Sequence, residues 1–149
     1  LAFTELEARL ATMLTANAYN TNLGASVKPA GVFLDEDDAP CVALYEAQPG
    51  DDGVMRIEAG QPNACGLDFT VNYIAQAFVR RTGTQNALIA AELAAEDMLR
   101  ALMGANRGAL VNASLHKITG RARGLVPKGG DVIPVLVYGS FKINEKVYA

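Results

Sequence analysis

Apolar and polar residues alternate along residues 67–81, so one face of an extended segment carries the apolar side chains. Those side chains are Leu67, Phe69, Val71, Tyr73, Ala75, Ala77 and Val79. A period of two is the pattern of a half-buried strand, and its length here predicts a long central strand. Residues 132–148 predict a second long strand, with Val135, Val137, Phe141 and Ile143 on the face toward the helices. Pro134 favours an edge position or the start of a strand.

Two segments have helical periodicity instead. Leu6, Leu10, Met13 and Leu14 predict an amphipathic helix over residues 4–17, opened by a capping box of Thr4 and Glu7. The second helix is predicted to follow "TGTQ" at residues 82–85 and to end at Gly104. Its predicted buried stripe is Leu88, Ala91, Ala95, Met98, Leu99 and Leu102, while Glu92, Glu96 and Arg100 face water.

The remaining elements are shorter. The sequence predicts an extended piece at residues 26–28, a strand at 41–46, a turn at 47–53 and a further short strand at 54–58. Residues 105–131 are glycine-rich and are predicted to be irregular. This order of elements predicts one α+β domain over residues 1–149, in which two helices pack on one face of an antiparallel or mixed sheet.

Composition agrees with a compact, folded domain. Half of the 149 residues are hydrophobic, and no apolar run approaches the roughly 18 residues of a membrane span. Glu5, Glu7 and Arg9 interrupt the first segment where a signal peptide is apolar, so we expect a soluble protein that is not exported. Cys41 and Cys65 form no C-x-x-C pair and are expected to be reduced, packed thiols.

The sequence contains no recognisable catalytic or nucleotide-binding motif. Gly124 and Gly129 have the spacing of a phosphate-binding loop, but Gly130 and Asp131 stand where that loop needs lysine and a hydroxyl residue. His116 is the single histidine, and no catalytic triad or zinc-ligand pattern surrounds it, which favours a structural or surface role. We therefore expect no enzyme activity, no catalytic residues, no bound metal and no cofactor.

Two charged features need a different interpretation. Asp35, Glu36, Asp37 and Asp38 lack the spacing of a calcium loop and favour a solvated loop. Arg80, Arg81, Arg121 and Arg123 could track a single-stranded nucleic acid, but a net charge of −3 and a pI near 5.1 argue against it.

Charge is distributed unevenly along the chain. Residues 31–60 hold eight acids and one base, whereas residues 99–130 hold six bases and no acid. Two patches of opposite sign on one molecule suit a head-to-tail contact between copies, which forms a ring if its rotation closes. The alternative is that both are solvated surface loops. The predicted contact residues are Arg121, Arg123 and Lys128 on one side and Asp35, Glu36, Asp37 and Asp38 on the other.

Two segments carry a resemblance to a known family: "VFLDEDDAPCVALYE" and "ITGRARGLVPKGGDVIPVLVYGSFKIN". With the long alternating strand and the alanine-rich helix that join them, they resemble small tail terminator proteins of long-tailed bacteriophages. The resemblance runs from about Phe3 to the C-terminus and lies in element order more than in invariant residues. It implies a structural virion protein without enzyme activity that forms a hexameric ring on the tail tube. Its implied partners are further copies of itself, the tail tube protein and the head or neck connector, with DNA only as passing cargo and no membrane. Its implied location is the head-proximal end of the virion tail, after assembly in the host cytoplasm.

Other functions remain open from the sequence. Related neck and tail-completion proteins share the same element order. A ligand-binding module or enzyme would have to assemble its site from Tyr19, Tyr45, Tyr73 and His116. A neck protein that contacts DNA would use the basic segment at residues 118–130, which is alternatively a flexible surface loop.

Overall fold

The computed structural model describes residues 1–32, 34–47, 56–63, 66–81, 86–124 and 130–145; for 56–63, 66–68, 144 and 145 it describes the backbone. The helices and strands in these ranges are α1 Ala2–Leu10, β1 Cys41–Glu46, β2 Arg56–Asn63, β3 Gly66–Arg80, α2 Ala87–Met103, β4 Ser114–Arg123 and β5 Val132–Glu145. Some predicted features fall wholly or largely outside these ranges: the turn at 47–53, the start of the strand at 54–58, the "TGTQ" segment, Cys65 and Lys128.

The strands form one antiparallel sheet in the order β1-β3-β5-β4. Strand β2 pairs with the first part of β3 and β1 with the last part, so both lie along the same edge of β3. Both helices pack on one face of this sheet. The α+β class predicted from the order of the elements is therefore confirmed, and all pairings between the strands named above are antiparallel.

The core lies between the helices and the face of β3 and β5 that the alternating pattern predicted. The buried strand residues on this face are Val71, Tyr73, Ala75, Ala77, Val79, Ile133, Val135, Val137 and Phe141. The helices contribute Leu6, Leu10, Met98 and Leu102 together with a row of alanines on α2. Because alanine has a short side chain, α2 can lie close to the sheet, and the strands supply most of the apolar volume.

The first helix differs from its prediction at both ends. It begins at Ala2 with Leu1 as its N-cap, so Thr4 is not a cap, and Glu7 accepts a hydrogen bond from Ala30 N at 2.7 Å instead. It ends at Leu10 and not at Asn17. Beyond that point polar side chains compete for the backbone: the Thr12 hydroxyl donates to Arg9 O at 2.6 Å. A 3-10 turn at Thr15–Asn17 occupies the last part of the predicted helix.

The second helix follows its prediction more closely. The Asn86 side chain caps its N-terminus by accepting from Leu88 N at 2.8 Å, and Gly104 ends it as predicted. Leu88 was predicted to be buried, but it is 52% exposed because it lies in the first turn, beyond the edge of the core. Asp97 is fully buried, which the stripe did not predict.

The largest correction concerns residues 105–131, which were predicted to be irregular. Ser114–Arg123 form the ten-residue strand β4, paired with β5. Its register shifts twice, between Ser114 and Lys117 and between Ile118 and Gly120, and such bulges destroy the alternation by which a strand is recognised. Strand β5 is therefore central, and Pro134 marks the start of a strand and not an edge.

The shorter predictions are mostly confirmed. Strand β1 has the predicted bounds, and the predicted extended piece is reduced to a single bridge between Val27 and Val42, after a 3-10 turn at Leu23–Ser26. Cys41 is a buried free thiol. Among the described residues, no helix is both long enough and apolar enough to span a membrane.

Because β5 lies between β3 and β4, a chain that stops at Gly130 should lose cooperative folding. The truncation leaves β3 and β4 without their shared partner and exposes the core. Thermal unfolding followed by near-ultraviolet circular dichroism measures this. The conservative variant Ile133→Val is the control: its unfolding should remain cooperative, and its free energy of unfolding should fall by about 1 kcal/mol. A soluble truncated chain with a sharp unfolding transition would contradict the prediction.

Candidate functional site

The four acidic residues 35–38 form a compact, exposed turn immediately before β1, which we call the acidic turn. Its last three residues make a 3-10 turn at Glu36–Asp38, and the Asp35 carboxylate accepts a hydrogen bond from Asp37 N at 3.0 Å. Arg80 Nε donates to Ala39 O at 3.1 Å, just after the turn, while its guanidinium pairs with Asp131 at 3.0 Å. The acidic turn is therefore anchored to β3 and displays its carboxylates to solvent.

Two of the predicted basic contact residues lie in β4. Arg121 pairs in register with Val137 and Arg123 with Val135, whose side chains face the helices. The two arginines therefore project to the same side, and they belong to a paired strand and not to a loop. Arg123 meets Glu92 of α2 at 3.5 Å in an exposed ion pair. The Arg121 side chain forms no hydrogen bond or ion pair with the residues that the structure describes.

A groove of about 270 Å³ runs between α2 and β4, and we call it the α2–β4 groove. Buried Ala91, Ala95 and Val135 form its floor, and exposed Glu92, Arg121 and Arg123 form its rim. Because the floor consists of short side chains, the space beside the two guanidinium groups stays open to an entering carboxylate.

The acidic and basic residues lie at opposite edges of the sheet. One row of paired residues runs across β4, β5, β3 and β1: Arg123, Val135, Ala77 and Val42. The acidic turn ends at Asp38, three residues before β1 begins at Cys41. Since adjacent strands are about 4.8 Å apart, the two outer strands are separated by about 14 Å. The register therefore converts charge asymmetry along the sequence into charge asymmetry across the molecule.

The two edges also differ in their backbone hydrogen bonds. The outer edge of β1 is partly covered, because Lys28 N donates to Val42 O and Gly31 N donates to Leu44 O, both at 2.8 Å. Strand β4 pairs with β5 alone within the described ranges. Its outer edge is thus available to another chain, with Lys117 and the two arginines as the charged side chains common on exposed edges.

His116 and Tyr73 form a hydrogen-bonded pair that contacts residues 104–113, which we call the α2–β4 connection. His116 Nδ1–H donates to Gly108 O at 2.7 Å, which leaves Nε2 to accept from the Tyr73 hydroxyl at 2.5 Å. These partners fix the neutral imidazole in one tautomer. Gly139 lies directly against the Tyr73 ring, where any Cβ atom would clash.

Burial perturbs both groups of this pair. Desolvation lowers the pKa of His116, aided by Arg9 and opposed by the hydrogen bond to Gly108 and by Glu5. Desolvation also raises the pKa of Tyr73 above its ordinary value. Each group thus remains neutral near pH 7, and the Tyr73 hydroxyl and both imidazole nitrogens are engaged in hydrogen bonds within the protein.

A second polar cluster joins α1 to the α2–β4 connection. Arg9 donates to Leu102 O at 2.6 Å and to Met103 O at 3.1 Å, which are carbonyls of the last turn of α2. Glu5 accepts from Val111 N at 2.9 Å, and this bond is the main cause of its lowered pKa. Gly104 has φ +64°, and a side chain there would collide with the Arg9 guanidinium. The sequence did not predict this cluster.

The structure does not assemble the predicted tyrosine site. Tyr19 lies under the Arg100 guanidinium at 4.6 Å, and the Tyr45 hydroxyl donates to Gln76 Oε1 at 3.0 Å on the other face of the sheet. Only Tyr73 and His116 meet. In the described part of the chain, no group of three or more histidine, cysteine or acidic side chains is placed to hold a metal ion.

Sequence reasoning also missed the role of Asp97. Its buried carboxylate accepts from Asn20 N at 3.0 Å, from Thr21 N at 2.8 Å and from the Thr21 hydroxyl at 2.6 Å. It therefore ties the segment after α1 to α2. The signal that could have revealed it is an acid at a helix position flanked by buried Ala94 and Met98.

No protein-family model matches this chain, and no curated protein matches it either.

Because the folded state lowers the pKa of His116, the protein should lose stability as the solution is acidified. The contribution is fully present above the unfolded-state pKa of about 6.5 and is lost as pH falls toward the lower folded pKa, because the unfolded chain then binds the proton more readily. Denaturant unfolding at several pH values measures this.

His116→Gln should flatten that part of the pH profile. Tyr73→Phe keeps the histidine but removes its donor and should cost about 1 to 2 kcal/mol. The single imidazole can be titrated by nuclear magnetic resonance without assignment variants. A folded pKa at or above the ordinary histidine value would contradict the prediction.

Proposed function

We propose that this chain is a structural virion protein that forms a ring at the end of a bacteriophage tail tube, stops tube polymerisation and provides the docking surface for the head or neck. The observation that carries the proposal is the placement of opposite charges at the two outer edges of one sheet, beside an open strand edge. A contact between unlike edges is heterologous. Such contacts generate closed rings when the rotation between copies divides a full turn.

A closed heterologous ring can end a polymer because its two faces are inequivalent. The two ends of this sheet differ in the required way. At the end where β4 begins, Val111 is 90% exposed and Leu115 is 69% exposed. At the other end lies the exposed Arg80–Asp131 ion pair. We assign the apolar end to the tail tube and the charged end to the head or neck connector.

The polar clusters support a role in presenting surfaces. Glu5 and Arg9 hold the backbone of the α2–β4 connection from below, so Val111 is displayed on an ordered frame. The hydrogen-bonding capacity of Tyr73 and His116 is used internally. The proposed partners are further copies of this chain in a hexamer, the tail tube protein and the connector; DNA passes through, and the finished protein resides in the virion tail after assembly in the host cytoplasm.

The decisive test is electron microscopy of phage tails produced without this protein. A terminator predicts overlong tubes that fail to join heads, because nothing then blocks the growing end. Supplying the protein from a plasmid should restore normal length. Tails of normal length that lack heads would instead indicate a neck or completion protein, and tails that still attach to capsids would refute both assignments.

If opposite charges join the copies, association should weaken with salt, and the double variant Arg121→Glu with Arg123→Glu should weaken it further. Screening shortens the range of the attraction to about 8 Å at physiological ionic strength, and reversal converts attraction into repulsion. Sedimentation velocity at low and high salt measures the ring fraction. The variant should also lose the parent's decline in assembly with salt, because salt screens its new repulsion. Assembly like that of the parent at both salt concentrations would contradict the prediction.

A further inference from the structure

We propose that the α2–β4 groove is a socket for the acidic turn of a second copy of this chain. The inference rests on the proposed function, since it identifies the contact that joins neighbouring subunits. It goes further by assigning one groove, one inserted segment and one principal cation, Arg121.

The groove offers guanidinium groups that are not fully engaged. Arg121 is exposed, and its side chain has no ion pair within the described ranges. Within the same ranges Arg123 has one ion-pair partner, Glu92, and the side chains of the pair are 43% and 61% exposed. Exposed ion pairs of this kind contribute little to stability, so an incoming carboxylate can replace Glu92 at low cost. A guanidinium group also binds a carboxylate through two parallel hydrogen bonds.

The acidic turn has the complementary properties. Its backbone is ordered before any contact forms, because Asp35 caps Asp37 N and Arg80 holds Ala39 O. The carboxylates of Glu36, Asp37 and Asp38 form no hydrogen bond or ion pair with the described residues, and all three residues are exposed. A preformed segment loses little conformational entropy when it binds. The turn therefore suits insertion as a rigid unit.

Within one chain the acidic turn and the groove lie apart. The acidic turn precedes β1, which is three strand positions and about 14 Å from β4 across the sheet, and Arg80 holds Ala39 O beside β3. Among the described residues, no ion pair joins residues 35–38 to Arg121 or Arg123. We therefore place the contact between the complementary charges between copies.

The experiment uses the full chain with single charge reversals on each side of the contact. Arg121→Glu and Asp37→Lys should each raise the concentration needed for half-maximal assembly by about tenfold. Arg107→Glu is the matched control, because it makes the same charge change on an exposed arginine in the α2–β4 connection, away from the groove. Thermal unfolding midpoints of all three variants should agree with the parent, which excludes a folding defect.

Charge exchange provides the sharper readout. Consider a ring in which the Arg121→Glu and Asp37→Lys proteins alternate, formed from an equimolar mixture. In one kind of contact the new glutamate at position 121 meets the new lysine at position 37, and in the other the original Arg121 meets the original Asp37, so both contacts pair opposite charges. Native mass spectrometry should therefore find mixed rings in which the two variants alternate, at concentrations within about threefold of the parent. The chain carrying both changes should form rings alone.

The outcomes separate the inference from the proposed function. If the parent forms rings but Arg121→Glu behaves like Arg107→Glu, or if mixing restores nothing, the socket assignment is overturned while the ring function stands. If Arg121→Glu abolishes binding to the tail tube protein and leaves rings intact, the groove belongs to the tube contact and the inference is also overturned. A parent chain that is monomeric under all conditions, with tails of normal length in its absence, overturns both.

Discussion

The pairing of β3 with β5 is the constraint on which the rest of the molecule depends. Fourteen consecutive residue pairs, from Leu67 opposite Glu145 to Arg80 opposite Val132, hold the two strands in one register. A slip by one residue would turn the apolar face of each strand away from the helices. The same register places Tyr73 opposite Gly139, where the missing side chain leaves room for the tyrosine ring. Every other element is positioned against this pair of strands.

The same register positions a set of polar contacts, which we call the polar frame, at the end of the sheet where β4 begins. Tyr73 reaches His116 on β4, and His116 reaches Gly108 in the α2–β4 connection. Arg9 and Glu5 approach the same connection from α1 and satisfy backbone groups that would otherwise lack partners. Removal of Tyr73 or His116 from this frame leaves a part-buried polar atom without its partner, which costs more than the net contribution of the hydrogen bond it made.

The register also determines how the molecule can associate. Strands β1 and β4 become the two outer strands, and they bring the acidic turn and the arginines to opposite edges. Charges so far apart on one rigid sheet cannot neutralise each other, so they remain available to other copies. An exposed strand edge ordinarily invites uncontrolled pairing, and charged side chains limit that risk. In the proposed ring, the arginines of β4 both discourage indiscriminate pairing and select an acidic partner.

The sequence by itself determined the three long elements of the core and the fold class, because the alternation along β3 and β5 and the alanine-rich helical stripe of α2 are local, periodic signals. It also determined that the chain has acidic and basic halves. Only the tertiary structure identified β4, whose bulges erase the period, and the capping of α2 by Arg9, whose partners are more than ninety residues away. Likewise, Asp97 became a structural carboxylate only when the segment after α1 reached it. The placement of Arg121 beside a groove could not be read from its neighbours, because it results from pairing with β5 and packing of α2, which join residues far apart in the chain.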